Sequence, residues 1–134
     1  METLNDKIDR FLAADVFAVL GASQDEHKYG YKVLKCYLQN KRRAIPINPN
    51  VTEVLGQTAY PNLASLPEPV KSISIITPPT RTERIVDNAI EHGVTSIWMQ
   101  PGAESALAVK KAQDAGIDVI YGGPCVLVVL GYRE

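Results

Sequence analysis

The sequence predicts an α/β fold: a doubly wound, Rossmann-like parallel sheet of about five strands with helices on both faces. Three observations predict it. Short apolar runs at 16–20, 73–77, 95–99 and 117–121 lack polar alternation, as strands covered on both faces do. The stretches between them place apolar residues at helical spacing. The junctions are short and carry Gly, Pro or Asn, which end elements cleanly. Strands alternating with helices make βαβ units, and right-handed crossovers then wind helices onto both faces of one sheet.

Each element follows from its residues. Leu4, Ile8, Phe11 and Leu12 form one stripe, predicting a leading amphipathic helix over 3–13. A strand at 16–20 runs into Gly21, Ala22 and Ser23, and a polar loop reaches 29. A helix over 30–40 turns Val33, Leu34, Tyr37 and Leu38 inward, and Lys41, Arg42 and Arg43 suit its negative end. The strand at 44–47 ends at Asn48-Pro49. Pro46 conflicts with an inner position there, because it cannot donate to the ladder. Residues 50–72, with Gly56, Pro61, Pro67 and Pro69, read as a surface connector with one helical turn near 62–66.

After the strand at 73–77, Pro78-Pro79 stops the chain, and Thr80-Arg81-Thr82-Glu83 reads as a capping box. Ile85, Val86, Ala89 and Ile90 form the buried face of the helix that follows, and Gly93 is its expected left-handed terminator. The strand at 95–99 precedes Gln100-Pro101-Gly102. A helix over about 103–115 turns Ala108, Val109 and Ala112 inward and stops at Gly116. The last strand precedes Gly122-Gly123-Pro124-Cys125, and the final apolar run, 126–130, reads as a short added strand or a subunit contact.

Composition narrows the function classes. The 134 residues suit one domain, expected to span 1–134. A formal net charge of −1 disfavours general nucleic-acid binding. Two distant cysteines, Cys36 and Cys125, fit neither a disulfide scaffold nor a metal site, so reduced thiols and a cytoplasmic setting are expected. No apolar run is long enough to span a membrane, and the first ten residues lack the apolar core of a signal peptide.

In such a sheet the ligand crevice lies beyond the carboxyl ends of the strands. The segments expected there are Gly21-Ala22-Ser23-Gln24, Asn48-Pro49, Thr77-Pro78-Pro79 and Gln100-Pro101-Gly102. They supply small, rigid or amide residues and few ionisable ones, the profile of a binding surface rather than an acid–base centre. Main-chain N–H groups and the positive end of the helix dipole at the first turn suit a pyrophosphate. The dinucleotide fingerprint G-x-G-x-x-G is incomplete: after Gly21 the next glycine is Gly30, and the second strand ends on Asn48 rather than an acid. NAD(P) is thus the less favoured cofactor.

Taken in order across about residues 12–125, these segments resemble the CoA-binding domain family. It is similar to the N-terminal domain of the succinyl-CoA synthetase α subunit and of ADP-forming acyl-CoA synthetases. The resemblance implies CoA or an acyl-CoA as ligand. It would place the pyrophosphate at Gly21 to Gln24, with Lys28 and Gly30 nearby, Asn48 and Pro49 by the adenosine, and Thr77 and Pro78 flanking the nucleotide. Met99, Gln100, Pro101 and Gly102 would meet the pantetheine. The synthetases carry a basic residue where this chain has Asn50, so phosphate affinity is expected from Lys28, Arg42, Arg43 or Arg81. The phosphohistidine domain of the synthetases has no counterpart in these residues, and autonomous catalysis is not expected.

The alternatives are an NAD(P)-binding oxidoreductase and a nucleotide-binding subunit of a larger synthetase-type complex, as a homodimer or with a partner. Single residues carry further expectations. Gly21 is expected to allow close approach of a phosphate, so Gly21→Val should block the ligand and spare the fold. Trp98 is expected in the core, Cys36 in a structural role and Cys125 near the ligand side, while Tyr29 and Tyr31 suit loop and helix-face packing at least as well as stacking on an adenine. His27 and His92 read as a solvated loop residue and a helix-terminal cation.

Overall fold

The computed structural model describes residues 2–134. The first helix, α1 (Leu4–Leu12), begins at Thr3, whose hydroxyl accepts the Asp6 N–H while the Asp6 carboxylate accepts the Thr3 N–H. Ile8 and Phe11 are buried as the stripe requires, but Leu4, the first residue of the helix, is 47% exposed. β1 (Val16–Leu20) follows and is buried along its whole length. α2 (Tyr29–Gln39) buries Val33, Leu34 and Tyr37, and leads to β2 (Arg43–Ile47).

Five strands form one parallel sheet: β2, β1, β5 (Ser72–Ile75), β6 (Ser96–Met99) and β7 (Asp118–Ile120), in that spatial order. The winding reverses between β1 and β5. Side chains of β1 alternate between two cores. Val16, Ala18 and Leu20 join α3 (Pro79–Glu91) and α4 (Ala106–Asp114) on one face. Phe17 and Val19 join α1 and α2 on the other, with Trp98 of β6. There Phe17 stacks on Tyr37 at 4.8 Å, and Phe11 meets Trp98 edge-on at 5.3 Å.

The sheet order resolves the Pro46 conflict. β2 is an edge strand, and the Pro46 carbonyl points away from β1, where it accepts the Tyr60 N–H at 3.1 Å. The missing N–H therefore falls outside the ladder to β1. The supposed connector contains a two-stranded hairpin, β3 (Glu53–Val54) and β4 (Gln57–Thr58), and a 3₁₀ turn, Leu63–Ser65. The hairpin turn has positive φ at both Leu55 (50°) and Gly56 (78°). Leucine rarely adopts that conformation, so the usual Asn-Gly or Asp-Gly signal is missing from the sequence.

Two expectations are corrected. α3 starts at Pro79, with Pro78 as the residue before it and no side-chain cap. Proline at the first position presets φ and has no N–H to satisfy, so the helix begins there and Thr80 to Glu83 lie inside it. The Thr82 hydroxyl bonds Thr77 Oγ1 at 2.8 Å instead. The run 126–130 is a helix, α5 (Val126–Leu130), rather than a strand. Gly122 and Gly123, both at positive φ, turn the chain back over α2, against which α5 packs with Val126 buried. Val128 and Val129 stay exposed. No helix among the described residues is long and apolar enough to cross a membrane.

Candidate functional site: a cleft at the reversal of the sheet

Where neighbouring crossovers lie on opposite faces, the strand ends are left uncovered. A cleft of about 610 Å³ opens there, beyond β1, β2 and β5. Gly21, Ala22 and Ser23 form its floor, Lys28 and Gly30 the start of α2, and Asn48 and Pro49 the end of β2. Thr77, Pro78 and Arg81 close the opposite side. Ten residues expected from sequence are thus brought together.

The floor is fixed by main-chain bonds on both sides. The Gly21 N–H donates to Ile47 O at 3.3 Å, and the Ile76 N–H donates to Leu20 O at 2.8 Å. Gly21 has φ of 99°, and a Cβ there would lie 2.1 Å from Ile76 O. A Cβ at Gly30 would lie 2.0 Å from Gly21 O. Both glycines are therefore demanded by the protein's own backbone. This corrects the expectation for Gly21→Val: a branched side chain collides with the Ile76 carbonyl just past β5 before any ligand arrives, and the fold itself suffers.

Beyond this corner the N–H groups of Ala22 and Ser23 make no hydrogen bond among the described residues. Lys28, the residue before α2, gives it no side-chain cap, so the N–H groups of its first turn, Tyr29 to Tyr31, are unsatisfied too. Lys28 and Arg81 are the charged residues of the cleft wall, and no carboxylate lies among its lining residues. Neither cation forms an ion pair among the described residues. Free main-chain donors, a helix N-terminus and two unpaired cations make the cleft strongly anion-attracting.

Other expected residues have internal work. Asn48 Nδ2 donates to Ala22 O at 2.8 Å and its Oδ1 accepts the Asn50 N–H at 2.8 Å, so the side chain ties β2 to the first turn. Gln24 lies outside the cleft wall and donates to Glu53 O at 2.8 Å, anchoring the loop to the hairpin. Arg42 donates to Leu12 O at 2.7 Å, and Arg43 pairs with Glu68, so both are away from the cleft. His27 is exposed on the loop.

Met99 and Gln100 are fully buried and do not line the cleft, because β6 lies one strand beyond the reversal. Pro101 and Gly102 line a smaller hollow of about 250 Å³ that shares Ile76, Thr77 and Pro78 with the main cleft. Sequence reasoning missed the wall made by Pro61, Asn62 and Leu63 and by Ile85 and Asn88 of α3. The available signal was Asn62 as an N-cap, whose Oδ1 accepts the Ser65 N–H at 3.0 Å.

Beside the hollow, Tyr29 of the cleft wall reaches across to Gln100 Oε1 at 3.2 Å and touches Cys125 Sγ. Burial, and then the contact with Cys125, hold the Tyr29 phenol above its usual range, so it stays protonated. Burial also pushes the Cys36 thiol up to about 11.

The model of the CoA binding domain matches residues 15–131, which hold all five strands of the sheet and the complete cleft. The chain belongs to the CoA binding domain family. Acetate–CoA ligase [ADP-forming] I of Archaeoglobus fulgidus is 31% identical over 84 residues, which cover 63% of this chain and 12% of the ligase. This family member therefore spans a small fraction of that relative's length. A conserved hypothetical protein from Pyrococcus furiosus superposes with a TM-score of 0.81 at 33% identity, covering 87% of this chain and 99% of that one. The dinucleotide forming acetyl-coenzyme A synthetase 1 of Ca. Korarchaeum cryptofilum, in complex with phosphate and ADP, gives a TM-score of 0.75 at 28% identity. That match covers 87% of this chain and 27% of the synthetase chain.

Proposed function

We propose that this CoA-binding domain holds CoA or an acyl-CoA, with the diphosphate on the free N–H groups of Ala22 and Ser23 and the start of α2. Lys28 and Arg81 assist as mobile cations, and Thr77, Pro78, Pro101 and Gly102 carry the neutral arm through the smaller hollow. One observation carries this reading: a cleft at the sheet reversal with unsatisfied main-chain donors, two unpaired cations and no carboxylate on its wall. The lack of an acid at the end of β2, and the engagement of Asn48 with Ala22, favour CoA over NAD(P), whose ribose diol wants an acceptor there. On this reading the cleft binds its ligand without chemistry of its own, and a cytoplasmic setting goes with it.

Calorimetry with CoA, acetyl-CoA, NAD and NADP tests this. CoA should bind at least ten-fold tighter than either nicotinamide cofactor, about 1.4 kcal/mol. Binding of NAD without binding of CoA would overturn it.

A second reading has one observation in its favour. The chain aligns with only part of the ligase and the synthetase, so it can serve as the nucleotide-binding subunit of a synthetase-type complex. Size-exclusion chromatography of native extract with and without CoA checks it; elution as a free small protein in both would count against it.

A further inference from the structure

One side of the cleft is used by neither the diphosphate nor the neutral arm. With the diphosphate at the first turn and the arm leaving toward Pro101 and Gly102, the nucleoside end of the ligand has the side beyond β2. Pro61 and Leu63 form one flank there, and Arg81, Ile85 and Asn88 of α3 form the other. Spacings of four and three put these last three on one stripe of the helix. Leu63 and Ile85 are buried, and the amides of Asn50, Asn62 and Asn88 are exposed around them. Apolar faces rimmed by neutral amides suit a base and a sugar, and neither needs a cation. Arg81 nevertheless stands among them, and it is free. The carboxylates next along its helix are engaged elsewhere: Glu83 accepts from the Ser105 hydroxyl, and Asp87 pairs with Lys111 at 3.2 Å. No other cation serves this side. β2 runs out into Asn48, Pro49 and Asn50, Arg42 and Arg43 are bonded away from the cleft, and Lys28 belongs to the first turn.

An unpaired guanidinium set among neutral groups, across the cleft from the diphosphate donors, is matched by a second anion on the ligand. Resting on the reading that the cleft holds CoA, we infer that Arg81 reads the phosphate on the ligand's ribose and sets a preference for CoA over dephospho-CoA. The planar fork of a guanidinium gives two parallel N–H bonds to a phosphate, and a phosphate monoester carries more charge than either phosphate of a diphosphate bridge. Lys28 and the main-chain donors of the first turn hold the diphosphate, which both ligands share. The two cations of the cleft wall thus serve two separate anions, one for affinity and one for discrimination.

The test compares CoA with dephospho-CoA, which lacks only the ribose phosphate, by calorimetry on the full chain. The unsubstituted protein should bind CoA about ten-fold tighter or more. Arg81→Gln keeps a polar side chain at an exposed helical position, and should weaken CoA about ten-fold more than dephospho-CoA, so that most of the preference is gone. Lys28→Gln should weaken both ligands by the same factor and keep the preference. Thermal melts of the same samples establish that each variant is folded. Equal affinity of the unsubstituted protein for the two ligands would overturn the assignment. So would a preference that survives in Arg81→Gln, or one that is lost in Lys28→Gln instead. In each of these cases CoA still binds and the binding reading stands. Binding of neither ligand would overturn both.

Discussion

At the end of β1 the chain offers unsatisfied main-chain N–H groups with two cations above them. Past the ends of β6 and β7 it holds a phenol, Tyr29, in contact with both the Gln100 amide and the Cys125 thiol. Both regions lie on the same side of the sheet, and Tyr29 belongs to each. The first gets its chemistry from backbone geometry, with glycines placed where any Cβ would strike a carbonyl. The second gets it from side chains held in place by buried bonds to Trp98 and Gln100. The contrast also separates which substitutions should damage the fold and which should damage binding.

The largest effect should come from filling the backbone corner. Gly30→Ala or Gly21→Val should lower stability by about 3 kcal/mol or more, because a main-chain carbonyl must move. Urea unfolding midpoints check this; near-normal stability in either variant would mean that the corner is looser than its geometry. Next, Lys28→Ala with Arg81→Ala should weaken CoA binding ~100-fold, at ~1.4 kcal/mol per ten-fold, with little change in melting temperature. Titration at two salt concentrations should show a smaller salt dependence in the double variant.

Asn48→Ala removes the bonds to Ala22 O and the Asn50 N–H, and should cost ~1–3 kcal/mol of stability while loosening the first turn. Both unfolding and CoA titration should register it. The smallest effect should be that of Arg43→Ala. Its pair with Glu68 is exposed and far from the cleft, so neither melting temperature nor CoA affinity should change measurably. A clear loss of CoA binding there would place phosphate contacts outside the cleft.

Much of this was legible because it depends on local pattern. The unbroken apolar runs gave the strands, and helical spacing gave most inward residues of α2, α3 and α4, though Ile90, expected on the buried face of α3, is 40% exposed near the helix end. The first turn was legible as part of the cleft wall, though the reason given for its glycine changes: Gly21 answers to Ile76 O. What stayed hidden depends on distant partners. Nothing near Asn48 in sequence reveals that its amide is claimed by Ala22, nor that Arg42 is claimed by Leu12. The hairpin at 53–58 was hidden by a leucine in the left-handed region, and α5 by an apolar run as suited to a strand as to a helix.

The most direct measurement is a backbone amide NMR titration with CoA. The account expects the largest shift changes at Ala22, Ser23, Tyr29 and Gly30, with smaller ones at Arg81 and Gly102 and none at the far ends of the strands. Saturable shifts confined to another surface, or an unperturbed first turn at saturating CoA, would contradict it.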